Sequence, residues 1–156
     1  MARALRCLLP DGFFHITARG VDGCPIYEDE LDRLRFLREL ETSVRRHAWS
    51  VHALCLMGNH YHLVLEARCD HLSKGLHRLN GVYAQAFNKR HDRKGRLFGD
   101  RFVARVLEDE PGCLRACRYV LLNPVRAGLA RTAADWPWTR SRHGLPDALD
   151  EHTFGG

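Results

Sequence analysis

The sequence lacks any apolar run close to the roughly 18 residues that a membrane-spanning helix requires, so we expect no transmembrane segment. Its first residues carry positive charge, but their apolar stretch is shorter than a secretory signal needs, which makes a cytoplasmic location the expected one. Internal repeats and low-complexity tracts are also absent. None of the six cysteines forms a CxxC pair, which excludes the zinc-ribbon and thioredoxin patterns and favours buried free thiols in a reducing compartment.

What remains is a chain of 156 residues that is 45% hydrophobic, and this composition suffices for one folded domain spanning residues 1–156. The formal net charge is +5, which points weakly to a polyanionic partner. Between residues 89 and 105 there are seven basic and two acidic side chains, so this segment alone carries the whole excess. We interpret it as a nucleic-acid contact, with a solvated loop as the alternative. The basic residues are Lys89, Arg90, Arg93, Lys94, Arg96, Arg101 and Arg105.

The hydrophobic periodicity predicts alternating strands and helices along most of the chain. The predicted strands cover residues 12–19, 49–56, 60–66 and 101–106, and the predicted helices cover residues 28–47, 72–89 and 108–123. This β-α-β-β-α-β order is that of a ferredoxin-like antiparallel sheet, an α+β fold, with one helix added after it. We therefore expect a core at 11–107, an added helix at 108–123 and a C-terminal extension at 124–156.

Two histidines lie at alternate positions of the third predicted strand. Alternate side chains of a strand share a face, so His60 and His62 should point away from the core face that carries Tyr61. Two imidazoles a few ångströms apart can reach one cation. Neutral imidazole suits Mn²⁺ or Zn²⁺, and it serves Mg²⁺ when oxygen ligands and phosphate complete the shell. A His-x-His pair alone is a weak signal and requires a partner site.

The last predicted helix offers that partner. Its apolar stripe is formed by Leu114, Cys117 and Leu121. Tyr119 leaves the stripe and shares a face with Arg115 and Asn123, one turn away on either side. The phenol is a candidate nucleophile for a phosphodiester, with a metal-ligating amide and a phosphate-binding guanidinium beside it. The alternative is an amphipathic tyrosine at the domain edge. Tyr83, by contrast, falls inside an apolar stripe and is expected to pack in the core.

These motifs together resemble the single-tyrosine HUH transposases, most closely the REP-associated tyrosine transposases. The hairpin MGNHYHLVLE resembles the His-hydrophobic-His strand of that family, and AFNKRHDRKGRLFGDRF resembles its basic segment. CRYVLLNPVRAGL resembles the helix that carries the nucleophile, and WPWTRSR resembles a motif shortly after it. The resemblance runs from about residue 11 to residue 143. It departs from related insertion-sequence enzymes in having Asn123 where glutamine is usual.

The resemblance implies a ferredoxin-like HUH fold that nicks and rejoins single-stranded DNA, with hairpin-forming palindromic repeats among its substrates. Tyr119 would form a 5′-phosphotyrosine, and Mg²⁺ or Mn²⁺ would be held by His60, His62 and Asn123. The expected DNA-binding residues are Lys89, Arg90, Arg93, Lys94, Arg96, Arg101 and Arg115. Both a monomer and a homodimer are compatible with the sequence.

Two other functions fit the same pattern. The first is a nucleic-acid-binding module that does no chemistry, because RNA-binding sheets share this order of elements. The second is a metal-dependent nuclease without a covalent intermediate. An intact His-x-His and the spacing of Tyr119 to Asn123 favour an enzyme over the binding module. The nuclease is distinguished from the transposase by whether Tyr119→Phe stays active.

Overall fold

The fold is organised by one antiparallel sheet in the computed structural model, which describes residues 11–145. The strands are β1 (Gly12–Arg19), β2 (Ser50–Leu56), β3 (His60–Ala67), β4 (Val103–Leu107) and β5 (Thr139–Ser141), in the order β4-β1-β3-β2-β5. The helices are α1 (Glu30–His47), α2 (Cys69–Arg90), α3 (Glu110–Leu121) and α4 (Asn123–Arg126). The first four strands have the ferredoxin-like order, so the predicted α+β fold with an added helix is confirmed. Within residues 11–145, no helix is long and apolar enough to cross a membrane.

Local sequence signals place the ends of the helices. The Asp29 carboxylate accepts a hydrogen bond from the Asp32 amide at the start of α1, and Asp109 does the same for the Gly112 amide at the start of α3. Pro124 cannot donate an amide hydrogen, and α3 stops three residues before it. Because Leu122 keeps a nearly helical backbone, the chain continues directly into the single turn α4, which starts at Asn123.

The main core lies between one face of the sheet and helices α1 and α2. Tyr61, Leu63 and Leu65 of β3 are fully buried there, as the alternation predicts. Tyr83 is buried in the same layer and its hydroxyl donates to the Ile26 carbonyl, which confirms its packing role. We call this side of the sheet the core face.

The opposite face, which carries His60 and His62, is also covered, because α3 packs across it. The alternation along β3 predicts an outward face here, and that expectation is wrong for His62, which is only 7% exposed. We call it the histidine face. The predicted apolar stripe of α3 is also shifted, since Leu114 is 43% exposed. The buried positions of α3 are Cys113, Cys117, Val120 and Leu121.

The C-terminal extension packs against the sheet and pairs with it. Its strand β5 pairs with β2, and the Trp136 indole donates a hydrogen bond of 2.9 Å to the Leu56 carbonyl. Trp138 packs against the main core, so both tryptophans anchor the extension. The remainder of the predicted extension, residues 146–156, lies outside the described residues, as do residues 1–10.

Candidate active site

The two histidines of the HYH strand meet on the histidine face of β3. Their ring centroids are 4.9 Å apart and the ring planes are nearly perpendicular. In the antiparallel register His62 lies opposite Thr17 of β1, and His60 lies opposite Arg19. The sheet therefore fixes the distance between the imidazoles, as the alternation along the strand predicts.

The hydrogen bonds of both imidazoles involve Nδ1. In His60, Nδ1 is 2.6 Å from the side-chain oxygen of Asn59 and therefore donates to it. In His62, Nδ1 is 3.0 Å from Nε2 of His15 and 3.2 Å from the Thr17 hydroxyl. The Asn123 amide nitrogen lies 2.5 Å from Nε2 of His62, so this ring nitrogen accepts and its proton is on Nδ1. The partner at Nδ1 of His60 leaves the Nε2 atom of that ring to face a cation, as in many metal sites. The Nε2 atom of His62 would become available to a cation once the Asn123 amide nitrogen turns away from it.

Burial keeps these imidazoles neutral. The pKa of His60 is lowered to about 4, mainly because burial removes solvation and to a smaller extent because Arg19 repels the charged ring. The pKa of His62 is lowered to about 3, mainly because burial removes solvation and to a smaller extent because of charge repulsion from His15 and His60. Burial and then Arg105 lower the pKa of His15 to about 4. At neutral pH the rings are therefore in the form that binds metal ions.

The chemistry of the donor set fits a divalent cation. Within residues 11–145, no group of three or more His, Cys, Asp or Glu side chains is arranged to hold a metal ion. The candidate set is of another kind, since it combines the two imidazoles with the amide of Asn123. The amide now presents its nitrogen to His62, and rotation about its Cβ–Cγ bond would present the oxygen. Imidazole and amide oxygen suit Mn²⁺, and they serve Mg²⁺ when phosphate oxygens complete its shell.

Tyr119 lies beside this histidine pair. It leaves the buried stripe of α3, as predicted, and is 42% exposed. Its ring centroid is 6.4 Å from that of His62 and 6.1 Å from that of His15. The guanidinium carbon of Arg126 lies over the Tyr119 ring, 3.9 Å from its centroid. The tyrosine is thus both accessible to a ligand and close to the candidate metal ligands.

An open cavity of about 600 Å³ adjoins Tyr119. Its walls come from β1, β3, β4, the start of α3 and the segment that precedes α3, and they include His15, His62, Arg105 and Arg115. Its volume falls within the usual range for small-molecule sites. Two arginines and two acidic residues, Glu108 and Asp109, line it, and the arginines are the groups that could bind a phosphate. Neither His60 nor Asn123 lines it, so the cavity reaches the histidine pair only at His62.

Three further residues of this site are not predicted by the sequence patterns. His15 and Thr17 alternate along β1 and therefore share one face, but only the pairing of β1 with β3 brings them to His62. Arg126 reaches Tyr119 because the turn α4 follows α3 directly. A His-x-Thr pattern on the first strand is the signal that could have indicated the first two residues.

Apart from Arg105, which lies on β4, the basic residues of the segment 89–105 fall into two groups. Arg90 forms ion pairs with Asp29 and Asp32, and Arg93 donates hydrogen bonds to the Asn88 side chain and the Arg96 carbonyl. These contacts hold the end of α2 and the loop after it. The second group consists of exposed side chains, namely Lys89, Lys94, Arg96 and Arg101.

Two residues of the exposed group, Arg96 and Arg101, line a cavity of about 920 Å³ between α2 and the loop after it. This cavity lies on the α2 side of the sheet, away from Tyr119. Phe98, an aromatic side chain of the same loop, packs against Tyr61 and Tyr83 with ring centroids 6.2 and 6.4 Å away, so it serves as an anchor for the loop.

Comparisons with known proteins identify the family and the fold. Residues 14–121 match the family model described as IS200-like transposase. One solved structure, a REP-associated tyrosine transposase bound to a REP hairpin, is similar with a TM-score of 0.68 and 16% identity, over 84% of this chain and 77% of that chain. A candidate transposase from Deinococcus radiodurans R1 is similar with a TM-score of 0.52 and 15% identity, over 78% of this chain and 87% of that chain. At these identities the two structures show a shared fold. No curated protein matches the sequence.

Proposed function

Because the chain belongs to the IS200-like transposase family, we propose that it cuts and rejoins single-stranded DNA through a covalent bond to Tyr119. The observation that carries the proposal is the position of Tyr119, an exposed phenol whose ring centroid is 6.4 Å from that of a buried, neutral histidine. A tyrosine serving only as packing at the domain edge would not require such neighbours. The fold and the family support the role of transposase, and the arrangement of side chains supports the chemistry.

In the proposed reaction the Tyr119 oxygen attacks the scissile phosphorus in line with the departing 3′ oxygen. A bond forms between phosphorus and the phenolic oxygen, the phenol loses its proton, and the bond from phosphorus to the 3′ oxygen breaks. The 3′ oxygen takes up a proton and leaves as a free hydroxyl, while the 5′ phosphate stays on the protein. Attack by a 3′ hydroxyl on this phosphotyrosine reverses the step and rejoins DNA.

His60, His62 and Asn123 would hold the divalent cation, Mg²⁺ or Mn²⁺. When bound, the cation supplies Lewis-acid polarisation of the scissile phosphate. The protein contributes the orientation of the ligands, since Asn59, His15 and Thr17 bind the Nδ1 atoms of the two histidines.

The proposed DNA path uses both cavities. Arg115 and Arg105 line the cavity beside Tyr119 and would bind phosphates next to the scissile bond. The exposed cations Lys89, Lys94, Arg96 and Arg101 would bind the DNA backbone further away. Since a structure of the same fold is bound to a REP hairpin, we propose hairpin-forming DNA as the substrate class. The internally paired Arg90 and Arg93 are expected to contribute less.

The non-catalytic alternative requires a nucleic-acid platform on the sheet. RNA-binding sheets present aromatic side chains on an open face. Here α3 covers the face opposite the main core, and histidines occupy its centre. The geometry therefore favours catalysis over a simple binding sheet.

A strand-polarity experiment tests the proposal. A single-stranded hairpin substrate is labelled at either its 3′ or its 5′ end, incubated with Mg²⁺ or Mn²⁺, and resolved under denaturing conditions. The 3′ label should migrate with the protein, and the 5′ label should appear in a shorter free strand that ends in a 3′ hydroxyl. Tyr119→Phe should abolish both products and retain DNA binding. Cutting by Tyr119→Phe at the wild-type rate would instead show a metal-dependent nuclease without a covalent intermediate.

A further inference from the structure

The Tyr119 ring is covered by a side chain from the short turn that follows its helix. Arg126 is the last residue of α4 and is half-buried. Its guanidinium carbon lies 3.9 Å from the centroid of the Tyr119 ring, so the cation covers one face of the phenol. Its Nη2 atom also donates a hydrogen bond of 3.0 Å to the backbone carbonyl of Tyr119. Arg126 thus binds both the ring and the backbone of the same residue.

Such a double contact restricts the tyrosine ring. Tyr119 lies near the end of its helix and is 42% exposed, so burial restricts its side-chain rotamers less than it would in the core. A planar guanidinium stacked on the ring favours one orientation, and its hydrogen bond to the Tyr119 carbonyl fixes where the guanidinium lies. The rings of His15 and His62 lie edge-on to Tyr119, with centroids 6.1 and 6.4 Å away. The tyrosine ring therefore contacts both a cation and the histidine face.

We infer that Arg126 is a positioning residue that holds the Tyr119 ring in the orientation needed for attack on DNA. The inference rests on the proposed function, in which Tyr119 is the nucleophile. Arg126 acts through the tyrosine and is not required to touch the phosphate. In this view the turn α4 has two tasks, because Asn123 at its start contacts His62 and Arg126 at its end contacts Tyr119.

The surroundings of Arg126 distinguish this role from that of a phosphate-binding arginine. Arg126 does not line the cavity beside Tyr119, whereas Arg105 and Arg115 do. Burial lowers the pKa of Arg126, and the charge interaction and hydrogen bond with the side chain of Tyr119 offset part of this effect. An arginine that is partly desolvated against one tyrosine is placed to orient that tyrosine.

Single-turnover kinetics of adduct formation test the inference. Arg126→Gln removes the charge and the stacking of the guanidinium, and Arg126→Lys keeps the charge but loses the planar fork. At saturating single-stranded hairpin DNA, the rate of the Tyr119 adduct should fall about 10- to 100-fold in Arg126→Gln, since misplacing a reacting group by about 1 Å can cost this much. The dissociation constant for DNA should change less than about twofold, and lysine should restore only part of the rate. Arg131→Gln removes an exposed arginine shortly after α4 and should match the wild type in both measurements.

Several results would overturn the inference. A wild-type rate in Arg126→Gln would show that the stack is incidental. A decrease explained entirely by weaker DNA binding would make Arg126 a phosphate ligand, and full recovery by lysine would assign the effect to charge alone. If Arg126→Gln does not fold in a thermal melt, the partial rate of Arg126→Lys decides the question. No adduct in the wild type would contradict the proposed function itself, which separates that failure from this one.

Discussion

The two faces of the sheet are built from the same strands but have different partners. On the core face, fully buried Tyr61, Leu63 and Leu65 pack against two long helices. On the histidine face, His60 and His62 alternate with those residues and lie near the single shorter helix α3. Alternation along one strand thus assigns most of the apolar burial to one side and most of the reactive groups to the other.

The difference also has an energetic meaning. The core face gains stability from the burial of large apolar side chains. The histidine face buries imidazoles, which must stay neutral and hydrogen-bonded, so burial there gains less per side chain. In the proposed function these groups serve chemistry more than stability. Substitutions on the two faces should therefore separate stability from activity.

The largest stability effect is expected on the core face. Leu63→Ala removes a fully buried side chain from the centre of the sheet and should lower the free energy of unfolding by about 2–5 kcal/mol. Tyr119→Phe, at an exposed position, should change that free energy by no more than about 0.5 kcal/mol. Urea unfolding of the two variants measures both values. Equal decreases in the free energy of unfolding would contradict the assignment of stability mainly to the core face.

The largest activity effect is expected on the histidine face. His60→Gln and His62→Gln should each slow DNA cutting by about 100-fold or more, because metal polarisation of the phosphate contributes several kcal/mol to transition-state stabilisation. His62 is buried and lies within hydrogen-bond distance of His15 and Asn123. His62→Gln should therefore lower the melting temperature more than His60→Gln does. Cutting assays with Mg²⁺ or Mn²⁺ and thermal melts test this, and full activity in EDTA would refute it.

A smaller effect is expected from the basic loop, which lies on the α2 side of the sheet, away from the histidine face. Replacing Lys94, Arg96 and Arg101 with glutamine should weaken binding of single-stranded DNA and lower the salt slope by about 0.7 for each phosphate that is no longer neutralised. Arg93→Gln alone should change the slope less, because its guanidinium already binds Asn88 and Arg96. The matched control replaces three exposed arginines of α1, namely Arg38, Arg45 and Arg46. An equal slope change in the control would show a general charge effect.

Much of the fold can be predicted because its signals are local. Period-two alternation locates the strands, period-3.6 stripes locate the helices, and the acidic residues before Pro111 mark the start of α3. Strand β5 is not predicted, since three residues around Arg140 carry too short a pattern. The covering of His62 is not predicted either, because periodicity identifies the face of a strand but not which helix returns over it.

The candidate site shows the same limit. His60, His62 and Tyr119 can be identified from spacing within single elements, and the structure brings them together. His15 joins them only through the register of β1 with β3, which brings its ring to within a hydrogen bond of His62, 47 residues away in the chain. The sequence predicts that Arg90 contacts DNA. In the structure the end of α2 lies beside the start of α1, and Arg90 forms ion pairs with carboxylates there. Such long-range contacts are set by tertiary packing, which no local pattern encodes.

The central claim is that the nucleophile is the exposed tyrosine of the histidine face and not a tyrosine of the core. Tyr83 provides the comparison, since its side chain is 1% exposed and its hydroxyl donates to the Ile26 carbonyl. Tyr83→Phe should cost about 0.5–1.5 kcal/mol of stability because it removes this hydrogen bond, and it should keep full adduct formation.

The most direct measurement is mass-spectrometric mapping of the protein–DNA adduct after proteolysis. We expect the nucleotide mass on the peptide that contains Tyr119 in the wild type and in Tyr83→Phe, and on no peptide in Tyr119→Phe. An adduct on Tyr83, or one that persists in Tyr119→Phe, would contradict the account.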